Sequence, residues 1–363
     1  MTGRERIQKA FTCEKTDRVP WVPFAGCHSG ALIGASATEI LQSAELIARG
    51  VSAAVERYGP DGIPVTFDLQ IEAEALGCEL TWADENPPAV SRHPLQNGCS
   101  LDELHVPGEE EGRIGLVLDA TRRVREAHPD VAVYGLVTGP FTLALHLYGS
   151  NLFMAMFDDP GFVQDLMAFC SRVSVAMADR YLDAGVDVVA VVDPMTSQIG
   201  PDQFNEVVKP HMVPVFERIR ERDGLSSFFV CGHAQQNVEA MCDCRPDNVS
   251  VDENIPLDYV RDVCLPRGVS FGGNLQLTSV LLLGTTDDAQ RNALECLEIG
   301  GEQGFILAPG CDLPYATPPE NLAAVGALVR DDYQRDVVRA QVMEKKPERL
   351  LDLHEYGQAD KVI

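Results

Sequence analysis

The sequence predicts an α/β protein built as a (β/α)8 TIM barrel, and two patterns carry this prediction. Apolar runs of strand length alternate with longer stretches of helical periodicity, and eight such units fill about 330 residues. Several runs are apolar at consecutive positions, VDVVAVV at residues 186–192 being the clearest, as is typical of strands buried on both faces. A doubly wound open sheet is the alternative, but no strand is followed by a G-x-G-x-x-G turn.

The elements can be placed in order along the chain. The eight predicted strands are residues 19–25, 64–68, 131–137, 186–193, 226–231, 248–252, 269–273 and 304–308. Helical periodicity is clearest at residues 38–58, 114–128, 202–222 and 287–299. The third βα crossover is extended, because residues 141–184 read as two helices broken near Pro160. We therefore expect one domain over residues 1–363, with the barrel at about 19–330 and a C-terminal helical extension at about 331–363.

Composition narrows the function classes. The chain has 363 residues, 45% of them hydrophobic, which is enough for a large core. Its 55 acidic and 29 basic residues give a net charge of −26, which disfavours binding to nucleic acid or to an anionic membrane. The N-terminus reads as an amphipathic helix without the apolar core of a signal peptide, so we expect a cytoplasmic protein with eleven reduced cysteines. A small molecule or another protein is the expected partner.

The ends of the predicted strands hold most of the candidate site residues. A barrel carries its chemistry there, because the loops that follow the strands form its one open, many-sided cavity. Every predicted strand except the third ends in a titratable or amide side chain. These side chains are Cys27, His28, Asp68, Asp193, Cys231, His233, Asp252, Glu253, Asn274 and Cys311.

Two of these residues, Cys231 in FFVCGH and Cys311 in ILAPGC, are candidate metal ligands. A thiolate suits zinc, and a catalytic zinc site takes three protein ligands and leaves one position open. The alternative is that two of the eleven cysteines cap strands by chance. The segment Cys242-Asp243-Cys244 is a weaker metal signal within or after the helix that follows the fifth strand.

Longer segments resemble a known family. The C-terminal segments are VCGHAQQNVEAM, SVDENIPLDYVRD, GGNLQLTSVLLLGT and GFILAPGCDLPYATPPENLAAV. The upstream segments are RERIQKAFTCEKTDRVPWVPF, GPFTLALHLYG and VVDPMTSQIGPDQFNEVVKPHM. Together they resemble the uroporphyrinogen decarboxylase superfamily over nearly the whole chain. That superfamily contains decarboxylases of tetrapyrrole synthesis and zinc-dependent methyltransferases that work with corrinoid proteins.

The resemblance favours the methyltransferase branch. Decarboxylases bind a substrate with eight carboxylates through an arginine-rich RQAGRY segment after the first strand, where this chain has FAGCHSGALIG. Methyltransferases carry His-x-Cys at the fifth strand and a distant cysteine in a PGC segment, and Cys231 and Cys311 match these two cysteines. Phe229 stands at the position of the histidine, and on a strand it should face the same side as Cys231.

The third zinc ligand must therefore come from elsewhere. His233, two residues beyond Cys231, is the first candidate, with His28, Glu72 and Glu74 as others. We take Cys231, Cys311 and His233 as the expected metal set.

The resemblance implies a zinc-dependent methyltransferase. It would move a methyl group between a small methyl donor or thiol acceptor and the cobalt of a corrinoid (cobalamin) carried by a partner protein. His28, Asp193 and Glu253 are candidates for acid–base roles, and Asp68 and Asn274 for substrate binding. A homodimer is compatible with the superfamily. The alternatives are a uroporphyrinogen-type decarboxylase and a non-catalytic barrel that binds a corrinoid or another small molecule.

Overall fold

A curled sheet of seven parallel strands lies at the centre of the protein, in a computed structural model that describes residues 1–342. The strands are β1 (Gly62–Pro64), β2 (Glu79–Thr81), β3 (Ala89–Arg92), β4 (Ala132–Thr138), β5 (Val188–Val192), β6 (Leu225–Val230), β7 (Asn248–Val251), β8 (Ser270–Leu275) and β9 (Phe305–Pro309). The sheet runs in the order β1-β4-β5-β6-β7-β8-β9, and all its pairs are parallel. β2 and β3 form a separate antiparallel hairpin.

Most of the predicted strands are confirmed. From residue 131 onwards each predicted strand lies within two residues of an observed one, whereas the predicted strand at 64–68 meets β1 only at Pro64. The hairpin of β2 and β3 was not predicted, because its short strands are mainly exposed and lack an apolar run.

Residues 19–25 were predicted as the first strand but form no regular strand in the structure. Two prolines in this segment have no amide hydrogen to donate, which limits ladder pairing. Trp21 nevertheless forms a parallel bridge with Leu307 of β9, and the Leu307 amide donates to the Pro20 carbonyl at 2.9 Å. On its other side, the Asp61 amide donates to the Trp21 carbonyl at 2.8 Å. The segment is therefore hydrogen-bonded both to β9 and to the residue before β1.

Helices connect successive strands of the sheet. They are α1 (Gly3–Phe11), α2 (His28–Ala31), α3 (Ala37–Leu41), α4 (Ala44–Tyr58), α5 (Ile71–Ala75), α6 (Ile114–Ala127), α7 (Pro140–Tyr148), α8 (Asn151–Asp158), α9 (Pro160–Asp183), α10 (Pro201–Gln203), α11 (Lys209–Glu221), α12 (Val238–Asp243), α13 (Leu257–Cys264), α14 (Thr286–Gly300), α15 (Pro319–Arg330) and α16 (Asp332–Val342). No helix within residues 1–342 is both long and apolar enough to cross a membrane.

The extended third crossover contains three helices, α7 to α9, where two were predicted. The predicted break at Pro160 is confirmed, and the Asp159 side chain caps α9 by accepting the Phe162 amide at 3.1 Å. The additional break is at Gly149, whose φ of 61° favours glycine. The predicted C-terminal helix is confirmed as far as α16, and residues 343–363 of the predicted extension lie outside the described part of the chain.

Alternation along the strands produces two cores. Ala132, Tyr134 and Leu136 of β4 belong to a cluster inside the curl, whereas Val133 and Val137 face the surrounding helices. Apolar side chains of α1 join the inner cluster. Because strands of one direction form the sheet, all their carboxyl ends lie together at one end of the curl, as the predicted site requires.

Candidate active site

The two predicted thiols meet at the carboxyl end of the sheet. Cys231 directly follows β6, Cys311 comes two residues after the end of β9, and their sulfur atoms lie 2.6 Å apart. Both cysteines are free and partly buried. Two strands that are far apart in the sequence, β6 and β9, thus place their following thiols next to each other.

The surroundings of the thiol pair are acidic. The Cys231 thiol donates to the Cys311 sulfur, and this hydrogen bond raises the pKa of Cys231 well above its ordinary value. Burial and the carboxylates of Asp252 and Glu253 raise it further. The charged groups that shift this pKa are thus both negative, and such a site favours a bound cation.

Phe229 forms part of an aromatic floor next to the thiols. Its side chain is 1% exposed, and its ring meets those of Phe24 and Phe67 edge to face, with centroid distances of 5.1 and 5.6 Å. Cys231 and Cys311 pack against the same inner cluster. The expected inward orientation of Phe229 agrees with this packing, and the ring supplies apolar surface where the family histidine supplies a metal ligand.

Glu253 places an unpaired carboxylate oxygen near the thiol loop. One oxygen, Oε1, accepts the Leu277 amide at 3.1 Å, whereas Oε2 is buried and has no hydrogen-bond partner within residues 1–342. A Cβ atom on Gly310 would lie 2.3 Å from Oε2, so the carboxylate packs against the backbone just before Cys311. Burial raises the pKa of Glu253. A buried oxygen without a donor is available to a ligand.

The loop that carries Cys231 is tied to the loop that carries Glu253. The Gly232 amide donates to a carboxylate oxygen of Asp252 at 2.5 Å. Gly232 has a φ of 92°, a conformation that favours glycine, so the chain turns sharply there. Beyond this turn, the His233 side chain is exposed.

The described residues do not assemble a complete zinc site. Among residues 1–342, no three His, Cys, Asp or Glu side chains lie in an arrangement that can hold a metal ion. Thiols and a buried carboxylate are donor types that zinc accepts, so the chemistry of Cys231, Cys311 and Glu253 fits the metal. The structure brings the two predicted thiols together and does not place His233 with them.

His28 is buried, contrary to the expectation of a free loop imidazole. Its Nδ1 lies 3.0 Å from the Tyr315 carbonyl oxygen and its Nε2 lies 2.6 Å from the Tyr58 hydroxyl. The rings of His28 and Tyr58 stack, and burial lowers the pKa of His28. Both nitrogens are thus used inside the protein, and the geometry gives His28 an anchoring role at the start of α2.

Asp193 follows β5 and caps the first turn of α7. Its carboxylate accepts the Phe141 amide at 3.1 Å, and the Thr142 amide and hydroxyl at 2.8 and 2.6 Å. Burial raises the pKa of Asp193 to about 6. These contacts join the loop after β5 to the start of α7, the first helix of the extended crossover.

The two predicted substrate ligands also have internal partners. Asp68 forms a 2.6 Å ion pair with Arg113, which binds Glu74 at the same distance. The Asn274 side-chain amide donates to the carbonyl oxygens of Asp252 and Ile255 at 3.2 and 2.8 Å. These contacts position the loops around the thiol pair.

A cavity of about 330 Å³ opens at the same end of the sheet. The loop between β2 and β3 contributes Glu85 to its wall, and Asp312, the residue after Cys311, contributes a second carboxylate. Within residues 1–342, no Lys, Arg or His side chain lines it. Asp312 accepts the Gly26 amide at 2.8 Å, and burial raises its pKa well above the ordinary value. Sequence reasoning missed Asp312, although its position beside Cys311 in PGCD is a usable signal.

The family profile described as "Uroporphyrinogen decarboxylase (URO-D)" matches residues 2–331. The chain belongs to the uroporphyrinogen decarboxylase family. The segments quoted above are thus parts of a match over nearly the whole length.

Individual relatives within the uroporphyrinogen decarboxylase family have different activities. The chain is 28% identical over 328 residues to the methylcobamide:CoM methyltransferase MtbA of Methanosarcina acetivorans, covering 88% of this chain and 95% of the relative. It is 27% identical over 340 residues to a uroporphyrinogen decarboxylase of Anaeromyxobacter dehalogenans, covering 88% and 96%. A solved structure described as a methyltransferase from Methanosarcina mazei matches with a TM-score of 0.84 and 27% identity, covering 92% and 99%. The chain is almost equally identical in sequence to the methyltransferase and to the decarboxylase, so the residues of the site must distinguish the two activities.

Proposed function

We propose that the chain is a methyltransferase that moves a methyl group between a small molecule and the cobalt of a corrinoid carried by a partner protein. The observation that carries this proposal is the Cys231–Cys311 pair, with its sulfur atoms 2.6 Å apart at the carboxyl end of the sheet. Two converging thiols at that position suit a thiophilic metal or a sulfur-based methyl acceptor. The names of the methyltransferase relatives support the same reaction class.

The cavity argues against the decarboxylase alternative. A substrate with many carboxylates needs fixed cations, whereas the described part of the chain lines this cavity with Glu85 and Asp312 and with no basic side chain. The guanidinium of Arg113 is already paired with Asp68, so it does not supply a free counter-charge to an anionic substrate. An anionic tetrapyrrole would meet repulsion here, and a neutral or cationic methyl donor would not.

We infer that the curled sheet closes into an eight-stranded barrel. The segment around Trp21 supports this inference, because it bonds to Leu307 of β9 on one side and to Asp61, next to β1, on the other. In such a barrel the thiol pair lies at the mouth, where a large planar cofactor has access.

We further propose that zinc binds at the thiol pair, with Cys231 and Cys311 as two ligands. His233 is the candidate third ligand from the sequence, and Glu253 is the candidate that the structure favours, because its Oε2 is buried and unpaired. Bound zinc would supply Lewis acidity to a thiol acceptor or to the leaving atom of a methyl donor.

The chain's own residues would then prepare the site. The carboxylates of Asp252 and Glu253 oppose deprotonation of Cys231, so a cation in the site lowers the cost of forming the thiolate. The rings of Phe24, Phe67 and Phe229 close the floor and keep water away from that side of the sulfur atoms.

The partner must expose its corrinoid to the mouth of the sheet. With a net charge of −26, the chain would associate faster with a protein that has a basic surface around its cofactor. A fall in the association rate with rising salt is the expected consequence.

Methyl transfer to or from cobalt tests the proposal. The purified protein is mixed with a methylated corrinoid protein and a panel of thiols, or with a cobalt(I) corrinoid protein and a panel of methyl donors, and the cobalt absorbance is followed. We expect turnover that Cys231→Ser and Cys311→Ser each reduce by about 10³ or more. Cys244→Ser is the matched control and should retain turnover, because it alters a buried thiol that donates a hydrogen bond to the Ala240 carbonyl.

A non-catalytic corrinoid-binding barrel is the alternative that the incomplete metal cluster favours. It predicts binding of the corrinoid protein with no change in the methylation state of cobalt for any donor or acceptor. That result, obtained with zinc present, would remove the methyltransferase proposal.

A further inference from the structure

A second pair of thiols lies on the outer side of the sheet. Cys242 of α12 and Cys264 at the end of α13 have their sulfur atoms 3.6 Å apart, and both cysteines are free. The CDC segment that includes Cys242 gave a weak metal signal in the sequence, but the Cys244 thiol donates to the Ala240 carbonyl at 3.3 Å. Cys242 is therefore paired across helices with Cys264 and not with its neighbour on α12.

One thiol of this pair borders a surface cleft of about 510 Å³. Cys242 lines the cleft with 5% of its surface exposed, whereas Cys264 is fully buried and does not line it. The other charged residues of the cleft are Lys209, Glu217, Asp243, Arg245 and Arg267. Two of the cations are paired, Lys209 with Asp243 at 3.3 Å and Arg267 with Glu239 at 2.9 Å, so charges of both signs surround Cys242.

The pair also has the asymmetry of an attacking thiol with a supporting one, because Cys242 lines the cleft whereas Cys264 does not. The two thiols are hydrogen-bonded, and either sulfur can be the donor. The contact with Cys264 and the guanidinium of Arg267 lower the pKa of Cys242, whereas burial and the carboxylates of Asp243 and Glu239 oppose them. Burial instead raises the pKa of Cys244 on the same helix, to about 12. Reactivity of thiols follows the thiolate form, so Cys242 and Cys244 should differ clearly.

We propose that Cys242 and Cys264 form a redox-active dithiol that reacts with low-molecular-weight disulfides in this cleft. In the first step the Cys242 thiolate attacks one sulfur of the disulfide RSSR, giving a Cys242–S–SR mixed disulfide and releasing RS⁻. In the second step the Cys264 thiol loses its proton and attacks the Cys242 sulfur, forming the Cys242–Cys264 disulfide and releasing a second RS⁻. The two protein thiols are oxidised and RSSR is reduced to two thiols.

The geometry supports both steps. Closing the bond needs the sulfur atoms to move from 3.6 Å to about 2.05 Å, a small shift between helices that already contact each other. The proposal does not depend on methyl transfer.

The full-length reduced protein is incubated with glutathione disulfide, which is anionic, or with cystamine, which is cationic. The modified cysteines are then identified by peptide mass mapping. We expect a Cys242–Cys264 disulfide in the wild type, a trapped mixed disulfide on Cys242 in Cys264→Ser, and no modification of Cys264 in Cys242→Ser. Cys244→Ser, the matched control, should behave as the wild type.

Absence of the Cys242–Cys264 disulfide in the wild type after incubation with either disulfide overturns the proposal, even if the serine variants fail to fold.

Discussion

The rings of Phe24 and Phe229 meet edge to face inside the curled sheet, with their centroids 5.1 Å apart. Phe229 stands two residues before Cys231, at the position that is histidine in the resembling methyltransferases. Here the position stabilises an apolar floor and leaves the thiol pair without that nitrogen. This contact shows what the residue at position 229 does instead: the chain keeps the two cysteines of the family, and the side chain two residues before Cys231 packs in the core without carrying a ligand nitrogen.

A histidine at position 229 should therefore lower the stability of the fold and raise its affinity for zinc. We expect Phe229→His to lower the free energy of unfolding by about 2–4 kcal/mol without metal, because a polar ring replaces a packed apolar one. Zinc should recover part of this loss, as measured by urea unfolding with and without the metal. Phe229→Leu is the control, and it should lose stability without zinc-dependent recovery. Equal responses of the two variants to zinc would contradict a metal position beside Phe229.

The third zinc ligand can be assigned by comparing two amide variants. We expect Glu253→Gln to weaken zinc binding by about 10- to 100-fold, because its Oε2 is a buried carboxylate oxygen without a hydrogen-bond partner within residues 1–342. His233→Gln should retain zinc, since the His233 side chain is exposed on the loop. Zinc per chain is measured after dialysis against a graded chelator. The opposite ranking would assign His233 as the ligand.

Glu72 provides a stability prediction that is separate from function. Its Oε1 accepts the Thr138 amide at 3.1 Å, and its Oε2 lies 2.7 Å from the Thr138 hydroxyl, which also donates to the Leu69 carbonyl at 2.8 Å. One hydroxyl hydrogen cannot serve both acceptors, so a protonated Glu72 completes the network. Burial raises the pKa of Glu72 to about 7 from a model-compound value of 4.5.

A carboxyl whose pKa is higher in the folded state stabilises the fold in its protonated form, and this contribution is lost as the pH rises through the folded pKa. Between pH 4.5 and 7, Glu72 should thus reduce the unfolding free energy by about 3 kcal/mol. Glu72→Gln should remove this loss and be more stable than the wild type at pH 8, with a smaller difference at pH 5.5. Urea unfolding at both values measures it, and a constant difference between the two proteins would refute the titration of Glu72.

The ion pairs of Arg113 should be required for the stability of the loops at the carboxyl end of the sheet. It is 8% exposed and binds both Asp68 and Glu74 at 2.6 Å. We expect Arg113→Gln to cost about 3–5 kcal/mol of unfolding free energy, because it leaves a buried carboxylate without its partner. Arg123→Gln, which breaks an exposed pair with Asp119, is the control and should leave the unfolding midpoint unchanged. Equal midpoints for the two variants would show that the Asp68 pair is replaceable.

The sequence identified the thiol pair because the carboxyl ends of parallel strands converge. Position at a strand end was sufficient for Cys231 and Cys311, whose meeting needs the sheet to curl, because β7 and β8 lie between β6 and β9. It failed for His28, because burial of that ring depends on Tyr58 and Tyr315, which lie far from it along the chain. Long-range packing of this kind leaves no local pattern.

Other parts of the site were also hidden from sequence reasoning. Asp193 is a candidate for an acid–base role on sequence grounds, and its observed partners are the first amides of a helix that begins more than fifty residues earlier. The pairing of Cys242 with Cys264 depends on how α12 and α13 pack, which the spacing of cysteines does not encode. Strand periodicity predicted the sheet well, and proline accounts for the irregular segment around Trp21.

The bond from the Gly232 amide to Asp252 has a consequence for long-range communication. It joins the loop after β6 to the loop after β7, and these loops lead into α12 and α13, the two helices that carry the outer dithiol. A disulfide there would restrain both loops from behind. If that restraint changes the affinity of a ligand at the mouth, thermodynamic reciprocity requires the ligand to alter the reduction potential of the outer pair by the same free energy.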